Sequence, residues 1–249
     1  MEAIKFTLSG NTAFLKKPDV NSYYYFTYGC IHKVALLGIL GAISGYDGYN
    51  QMKKEDVYPE FYEKLKDIKI GIVPRNPKGY ISKKVQVFNN SVGYASKEQG
   101  GNLIIKEQWL ENPKWDIYLL VQNEVEHELA RRLINFEFKY IPYLGKNDHI
   151  ANIESVEIVK NIEIINDATV VNSIFNKSNF NLDDDDDDEF EDFDEGVEPI
   201  WKYEEKLPVR LEEVTNKYEL ESFRATNSKL KPVKESLVYR IENKNIYFI

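Results

Sequence analysis

Residue types that carry redox or metal chemistry are scarce in this chain of 249 residues. It has one cysteine, Cys30, and three histidines, His32, His127 and His149. A single cysteine excludes an internal disulfide and a cysteine-based zinc site, and it suits a reducing cytoplasm. The histidines lie far apart in the sequence and none has a metal-ligand partner at helical spacing. We therefore predict no metal and no cofactor.

Several signature segments are also missing. The sequence contains no GxxxxGK[ST] loop, no GxGxxG after a strand and no HExxH, which argues against the common nucleotide-binding and metalloprotease classes. It has no apolar run long enough to span a bilayer, and its first ten residues do not read as a signal peptide. The expectation is a cytoplasmic protein with no membrane partner.

Negative charge is concentrated in one place. Residues 183–195, called here the acidic tract, hold eleven acids and no base, and without them the formal net charge of −9 becomes +2. A tract of this composition repels itself too strongly to pack, which predicts a mobile loop. Two roles stay open for it: solubility, or mimicry of a nucleic acid that keeps a basic surface from the wrong strand.

Positive charge is concentrated in residues 75–106, where six lysines and arginines face one acid, Glu98. Such a cluster of positive charge is typical of a protein that binds a phosphate backbone. An ordinary solvated hairpin has the same composition, and charge alone does not separate the two.

Residues 18–45 join an aromatic loop to a helix that is apolar on nearly every side. Such a helix must be covered on two sides, and its glycines, Gly38, Gly41 and Gly45, predict close backbone packing. His32 and Lys33 fall in its first turn, where the helix dipole favours an anion. Aromatic rings beside a cationic helix start suit an unpaired nucleotide strand, although this stretch taken alone favours ordinary strand and core tyrosines.

The order of elements predicts an α+β fold. The expected elements are a strand at 3–8, the apolar helix, a strand at 68–73, a central strand at 115–121, a helix at 124–134 and a strand at 153–159. This is the ferredoxin-like pattern that RNA-recognition modules also use. A short helix at 58–66 and a long hairpin arm at 80–110 interrupt it. Short strands are expected at 200–203, 207–211 and 236–241, the last paired with 246–249 as a hairpin.

Four segments together carry a specific resemblance. They read FLKKPDVNSYYYFTYGCIHKVALLGILGAISGY, YPEFYEKLKDIKIGIVP, KKVQVFNNSVGYASKEQGGNLIIKEQWL and YIPYLGKNDHIANI. Over residues 1–160 the sequence resembles the Cas five family of CRISPR RAMP proteins, in its type I-B branch. Past residue 160 the resemblance weakens, and the acidic tract is not expected of the whole family.

The resemblance implies a ferredoxin-like RAMP domain at 1–160, with a β-hairpin thumb at about 75–110 and a small β-rich C-terminal extension at 161–249. It also implies a subunit that caps the 5′ handle of crRNA in the Cascade surveillance complex, in defence against viruses. The implied partners are the large subunit, the first repeated backbone subunit and, indirectly, target DNA. In such complexes base pairing reads the sequence while the protein holds the RNA through its backbone and shape.

The predicted RNA-binding residues combine cations for phosphates with rings and amides for bases. They are Lys16, Lys17, Tyr23, Tyr24, Tyr25, His32, Lys33, Lys83, Lys84, Gln86, Asn89, Asn90, Lys106, Gln108, Lys146, Asn147 and His149. One departure from the family concerns the loop YLGKND, which has Gly145 as its only glycine where RAMP proteins often have more.

We expect no catalytic residues. In the type I-C branch the related protein cuts precursor RNA, whereas in type I-B a separate endonuclease normally does so. The pair His32 and Lys33 keeps a metal-independent endoribonuclease open as the alternative, since such an enzyme needs an acid or base and a cation. An unrelated RNA-binding module is a third possibility.

Overall fold

The computed structural model describes residues 1–19, 24–183, 199–234 and 238–249. The helices are α1 (Lys33–Ser44), α2 (Glu60–Leu65) and α3 (Glu124–Asn135). The strands are β1 (Glu2–Ser9), β2 (Thr12–Ala13), β3 (Ile70–Pro74), β4 (Lys83–Asn89), β5 (Ile104–Glu111), β6 (Lys114–Val121), β7 (Asn152–Lys160), β8 (Glu163–Ile165), β9 (Phe175–Asn176), β10 (Phe180–Leu182), β11 (Lys202–Leu211), β12 (Tyr218–Thr226), β13 (Leu230–Pro232), β14 (Val238–Ile241) and β15 (Lys244–Tyr247). No helix among these residues is long and apolar enough to cross a membrane.

The central sheet has four antiparallel strands in the order β3-β6-β1-β7. The prediction that residues 115–121 form a central strand is confirmed, because β6 lies between β3 and β1 and is buried from Trp115 to Val121. A strand buried on both faces needs apolar residues at consecutive positions, and this run supplies them. The predicted strands at 3–8, 68–73 and 153–159 correspond to β1, β3 and β7.

Helix α1 lies over the sheet and packs against α2, α3 and β11. It begins at His32, whose Nδ1 accepts a hydrogen bond from the backbone N–H of Ala35, and it ends at Gly45 in the left-handed region with φ of 82°. Gly41 allows the close contact with α2, since a Cβ there would lie 2.4 Å from Phe61 Cβ. Gly38 faces open space instead, so the prediction of close packing is wrong at that position.

The second face of the central sheet is covered by the sheet β8-β14-β15. Tyr118 and Leu120 of β6 share a buried cluster there with Tyr239, Ile246 and Phe248. This face of the central sheet is therefore occupied by buried side chains of the same chain.

The C-terminal region also forms the sheet β9-β12-β11, which packs on α1. The two short strands predicted at 200–203 and 207–211 are one strand, β11, which continues through Pro208 with a register shift. Its partner β12 was not predicted. Because the larger buried cluster combines residues from both halves of the chain, such as Leu37 and Leu207, the division at residue 160 stays a prediction.

The hairpin arm is confirmed: β4 pairs with β5 from Lys83 opposite Leu110 to Asn89 opposite Ile104. Its base is joined to the sheet region through β2, which pairs with the end of β5. The acidic tract lies outside the described residues except for Asp183.

Candidate nucleic-acid interface

The arm and the aromatic loop are held together by backbone hydrogen bonds. The N–H of Tyr25 donates to the carbonyl of Lys106 at 2.9 Å, and the N–H of Gln108 donates to the carbonyl of Tyr25 at 2.9 Å. Tyr25 thus extends the arm sheet on the side of β5 away from β4. Two segments separated by about eighty residues in the sequence form one surface.

The lysines before the aromatic loop lie beside its rings. The N–H of Lys17 donates to the carbonyl of Phe26 at 2.8 Å, which pairs the two segments. The Lys16 ammonium lies 4.1 Å from the centroid of the Tyr25 ring. Lys17 forms an ion pair with Glu205 at 3.0 Å, whereas Lys16 has no carboxylate within ion-pair distance among the described residues. Lys16 is therefore the cation of this pair that remains available to a phosphate.

Residues 143–150 form a tight loop against the strand segment before the aromatic loop. The N–H of Phe14 donates to the carbonyl of Leu144 at 3.0 Å. Gly145 has φ of 93°, and a Cβ there would lie 1.9 Å from the carbonyl oxygen of Phe14. The loop needs glycine at this position because a side chain has neither the conformation nor the space.

Lys146 and His149 attach this loop to the arm. Lys146 Nζ lies 3.1 Å from Oε1 of buried Glu107, which also accepts a hydrogen bond from Trp109 Nε1 at 2.8 Å. The His149 ring lies edge-on to Trp109, with centroids 4.6 Å apart, and its Nδ1 is 2.6 Å from Thr12 Oγ1. Burial lowers the pKa of His149. His149 thus serves as a packed, neutral side chain, and the prediction that it meets RNA directly does not fit its burial.

The two faces of the arm carry different residues because side chains alternate along a strand. Lys84, Gln86 and Phe88 share one face with Trp109 and Glu107, the face on which residues 143–150 pack. The opposite face carries Lys106 and Gln108 together with Asn89 and the exposed side chains of Val85 and Val87. The predicted arm residues therefore do not form a single surface.

Three of the arm lysines differ in availability. Lys83 is half-buried near Gly29, and burial lowers its pKa. Lys84 lies 3.8 Å from a carboxylate oxygen of Glu111. Lys106 is exposed and, among the described residues, has no ion-pair partner. Lys106 is therefore an available cation, and its backbone carbonyl accepts from the N–H of Tyr25.

His32 and Lys33 do not form an exposed cationic helix start, so that interpretation is wrong. His32 is 3% exposed, and burial lowers its pKa to about 3, so it is neutral at physiological pH. Lys33 is 8% exposed, burial lowers its pKa to about 8, and its Nζ donates to the carbonyl of Ile249 at 3.3 Å. Both side chains are buried because the first turn of the apolar helix α1 is packed inside the protein.

The other predicted residues are distributed as follows. Asn90 and Asn147 are exposed and Tyr24 is half-buried, with its ring 5.0 Å from that of Phe26. Tyr23 lies outside the described residues.

Comparison with known proteins gives a structural likeness alone. No family model matches the sequence, and no curated protein matches it. A chain of a CRISPR RNA-guided surveillance complex matches with a TM-score of 0.52 at 12% identity, covering 93% of this chain and 91% of that one. This chain shares that fold. A CRISPR protein from Archaeoglobus fulgidus aligns over 99% of this chain and 98% of its own, at 10% identity and a TM-score of 0.49.

Two acids that organise the interface were missed from the sequence. Glu107 holds Lys146 and Trp109 from inside the arm. Glu205, on β11, accepts from the Gly29 N–H at 2.8 Å and from Tyr203 Oη at 2.7 Å in addition to its pair with Lys17. Glu107 directly follows the basic strip of residues 75–106, and nothing near Glu107 or Glu205 in sequence indicates their partners.

Proposed function

We propose that this chain is a CRISPR-associated RAMP protein of the Cas five family, type I-B branch. In this role it caps the 5′ handle of crRNA without cutting it and contributes to antiviral defence. It links the large subunit of the Cascade complex to the first repeated backbone subunit, and contacts target DNA only through them. The resemblance over residues 1–160 and the shared fold of the surveillance-complex chain support this assignment.

The sheet topology supports a ferredoxin-like domain for this protein. The chain order strand, helix, strand, strand, helix, strand is that of β1, α1, β3, β6, α3 and β7. These strands lie in the order β3-β6-β1-β7 with every neighbouring pair antiparallel. The arm is inserted between β3 and β6, which is where the resemblance expects the thumb.

The observation that carries the proposal is the junction of arm and aromatic loop. Tyr25 is paired to Lys106 through the backbone, and Lys16 lies over the Tyr25 ring. The half-buried Tyr25 ring with the Lys16 ammonium beside it suits a single strand, whose phosphates meet cations while a base meets a ring. A rigid backbone pairing holds these groups at a fixed spacing before the RNA arrives.

The burial of His32 supports a role without cleavage. A general acid or base in RNA cleavage works best with a pKa near the operating pH and must reach the 2′-hydroxyl. His32 has its pKa lowered to about 3 by burial, and its Nδ1 is already used to cap α1. Lys33, its sequence neighbour, is directed to the carbonyl of Ile249.

The salt dependence of RNA binding tests the proposal. The full chain is titrated with RNA bearing the repeat-derived 5′ end at several salt concentrations, and Lys16→Ala and Lys106→Ala are each expected to lower the salt slope by about one unit. Lys160→Ala is the matched surface control, because Lys160 pairs with Glu2 at the end of β1 opposite to the arm. Lys33→Met is the buried control. Both controls are expected to keep the wild-type slope.

Two results would contradict the proposal. One is equal affinity of the wild-type chain for this RNA and for an unrelated oligomer of the same length. The other is specific cleavage of repeat RNA by the purified chain in EDTA, lost in His32→Ala, which would favour the endoribonuclease.

A further inference from the structure

One side of α1 is left uncovered by the rest of the chain. Ala35, Gly38 and Ala42 lie on one stripe of the helix and are the partly exposed positions in its first ten residues. A Cβ added at Gly38 would have no atom within 4 Å. These residues form the floor of a groove of about 860 Å³, a volume in the range of ligand sites.

Tyrosine rings form much of the groove wall. Tyr140 and Tyr143, which are 56% and 44% exposed, come from the segment between α3 and β7. Tyr46 and Tyr49 come from the segment after α1, and Tyr218 from β12. Exposed aromatic rings beside a floor of small residues are surfaces on which nucleic-acid bases stack in single-strand binders.

A hydrogen-bond donor of His32 also lines the groove. His32 accepts the Ala35 N–H at Nδ1, and a backbone N–H can only donate, so the neutral ring carries its proton on Nε2. Nε2 forms no hydrogen bond with another described residue, and it is not a fully buried atom, so it can reach an acceptor placed in the groove.

The groove is continuous with the interface described above. Lys16 and Lys146 both line it, together with Gly145, and Asp47 is the acid among its described lining residues. Lys16 is the unpaired cation beside Tyr25. An RNA strand that contacts Tyr25 and Lys16 can therefore continue into this groove.

We propose that the groove along α1 binds one or more unstacked bases of the single-stranded RNA. The bases lie against the tyrosine rings, one base acceptor receives the Nε2–H of His32, and the connecting phosphates meet Lys16 and Lys146. This inference rests on the proposed RNA-binding function and adds a second contact region, on the helix side of the sheet and separate from the arm. A protein segment fits the apolar floor, but it gives no role to the Lys16 ammonium, which has no ion-pair partner among the described residues.

Filling the groove tests the inference. Gly38→Leu places a side chain over the floor, and Gly38→Ala is the matched control, because alanine raises helix propensity and adds only one methyl group. Thermal unfolding is expected to show both variants at least as stable as wild type. RNA affinity is expected to fall about tenfold or more in Gly38→Leu and to stay near wild type in Gly38→Ala.

A position-by-position probe identifies the bound bases. RNA carrying 2-aminopurine at one position at a time is titrated with wild-type chain. We expect a fluorescence change on binding that is confined to a few adjacent positions and is abolished in Gly38→Leu. The conservative variant His32→Asn keeps an N-cap acceptor and is expected to lower affinity without changing the salt slope.

The outcomes separate this inference from the function on which it rests. If the wild-type chain shows no preference for the RNA, the proposed function is overturned, and the groove proposal that rests on it is overturned as well. If wild type binds and Gly38→Leu binds equally, with unchanged 2-aminopurine signals, the groove proposal is overturned while the arm interface stands. It is also overturned if Gly38→Leu keeps RNA affinity but no longer assembles with the other complex subunits, since the occupant is then protein.

Discussion

Burial decides what each candidate side chain in this protein does. His32 and Lys33 have the composition of an anion site, yet the helix that contains them is apolar all round and takes them inside. Lys16 and Lys106 have less distinctive sequence surroundings, and they are exposed and unpaired among the described residues. Charge at a position is thus informative only once its exposure is known.

The burial of His32 predicts a pH dependence of stability. An unfolded histidine binds a proton near pH 6.5, whereas folded His32 has its pKa lowered to about 3 by burial. The unfolded state therefore binds more protons between these values, and the free energy of unfolding falls as the pH is lowered through this window. The slope from this group is at most about 1.4 kcal/mol per pH unit.

Urea unfolding at pH 7, 6 and 5 measures this effect. His32→Asn, which keeps the helix cap, is expected to reduce the loss of stability between pH 7 and pH 5 by about 1–2 kcal/mol. The remaining dependence includes His149, whose pKa is also lowered by burial. Identical pH profiles for wild type and His32→Asn would show that His32 is not the neutral buried group described.

At the scale of elements, the arm and the loop at 143–150 hold each other in position. Strand alternation predicts two arm faces from the sequence, but it does not tell which face meets the body. The loop determines which face this is, because Lys146 and His149 pack on the face that carries Glu107 and Trp109. The loop itself is fixed by Gly145 against Phe14.

Substitution of Gly145 is expected to disturb this arrangement. In Gly145→Ala the new Cβ meets the Phe14 carbonyl oxygen at a backbone conformation with φ of 93°, so we expect a loss of at least about 2 kcal/mol in the free energy of unfolding. RNA affinity is expected to fall as well, since Lys146 moves with the loop.

Gly93→Ala is the matched control in the arm. It has no atom within 4 Å of its added Cβ and no positive φ, and we expect its stability to stay within about 0.5 kcal/mol of wild type. Equal stability of the two alanine variants in urea would mean that the loop does not require glycine.

For the whole molecule, the C-terminal region completes the fold. Strands β14 and β15 cover the second face of the central sheet, where Tyr118 and Leu120 meet Tyr239 and Phe248. On the other side β11 packs on α1, and Glu205 joins it to the aromatic loop. The first 160 residues therefore depend on the later ones for a large part of their apolar burial.

A fragment of residues 1–160 tests this dependence. Without β11, β14 and β15 it exposes apolar surface on both sides of the sheet, so we expect aggregation or a non-cooperative unfolding transition. The measurement is urea unfolding followed by circular dichroism, with the full chain as reference. A fragment that unfolds cooperatively with near-native stability would instead support an independent domain ending at residue 160.

The sequence by itself determined the elements of the N-terminal half, because alternation in 3–8 and the continuous apolar run in 115–121 are local patterns tied to strand geometry. It also indicated the arm, from two strand-like runs around a glycine-rich turn. Only the tertiary structure decided that β12 exists, that His32 is a neutral cap, that Glu205 reaches the aromatic loop and that one stripe of α1 stays open. Each of these depends on which distant segments exclude water from a given atom, and no pattern of neighbouring residues records that.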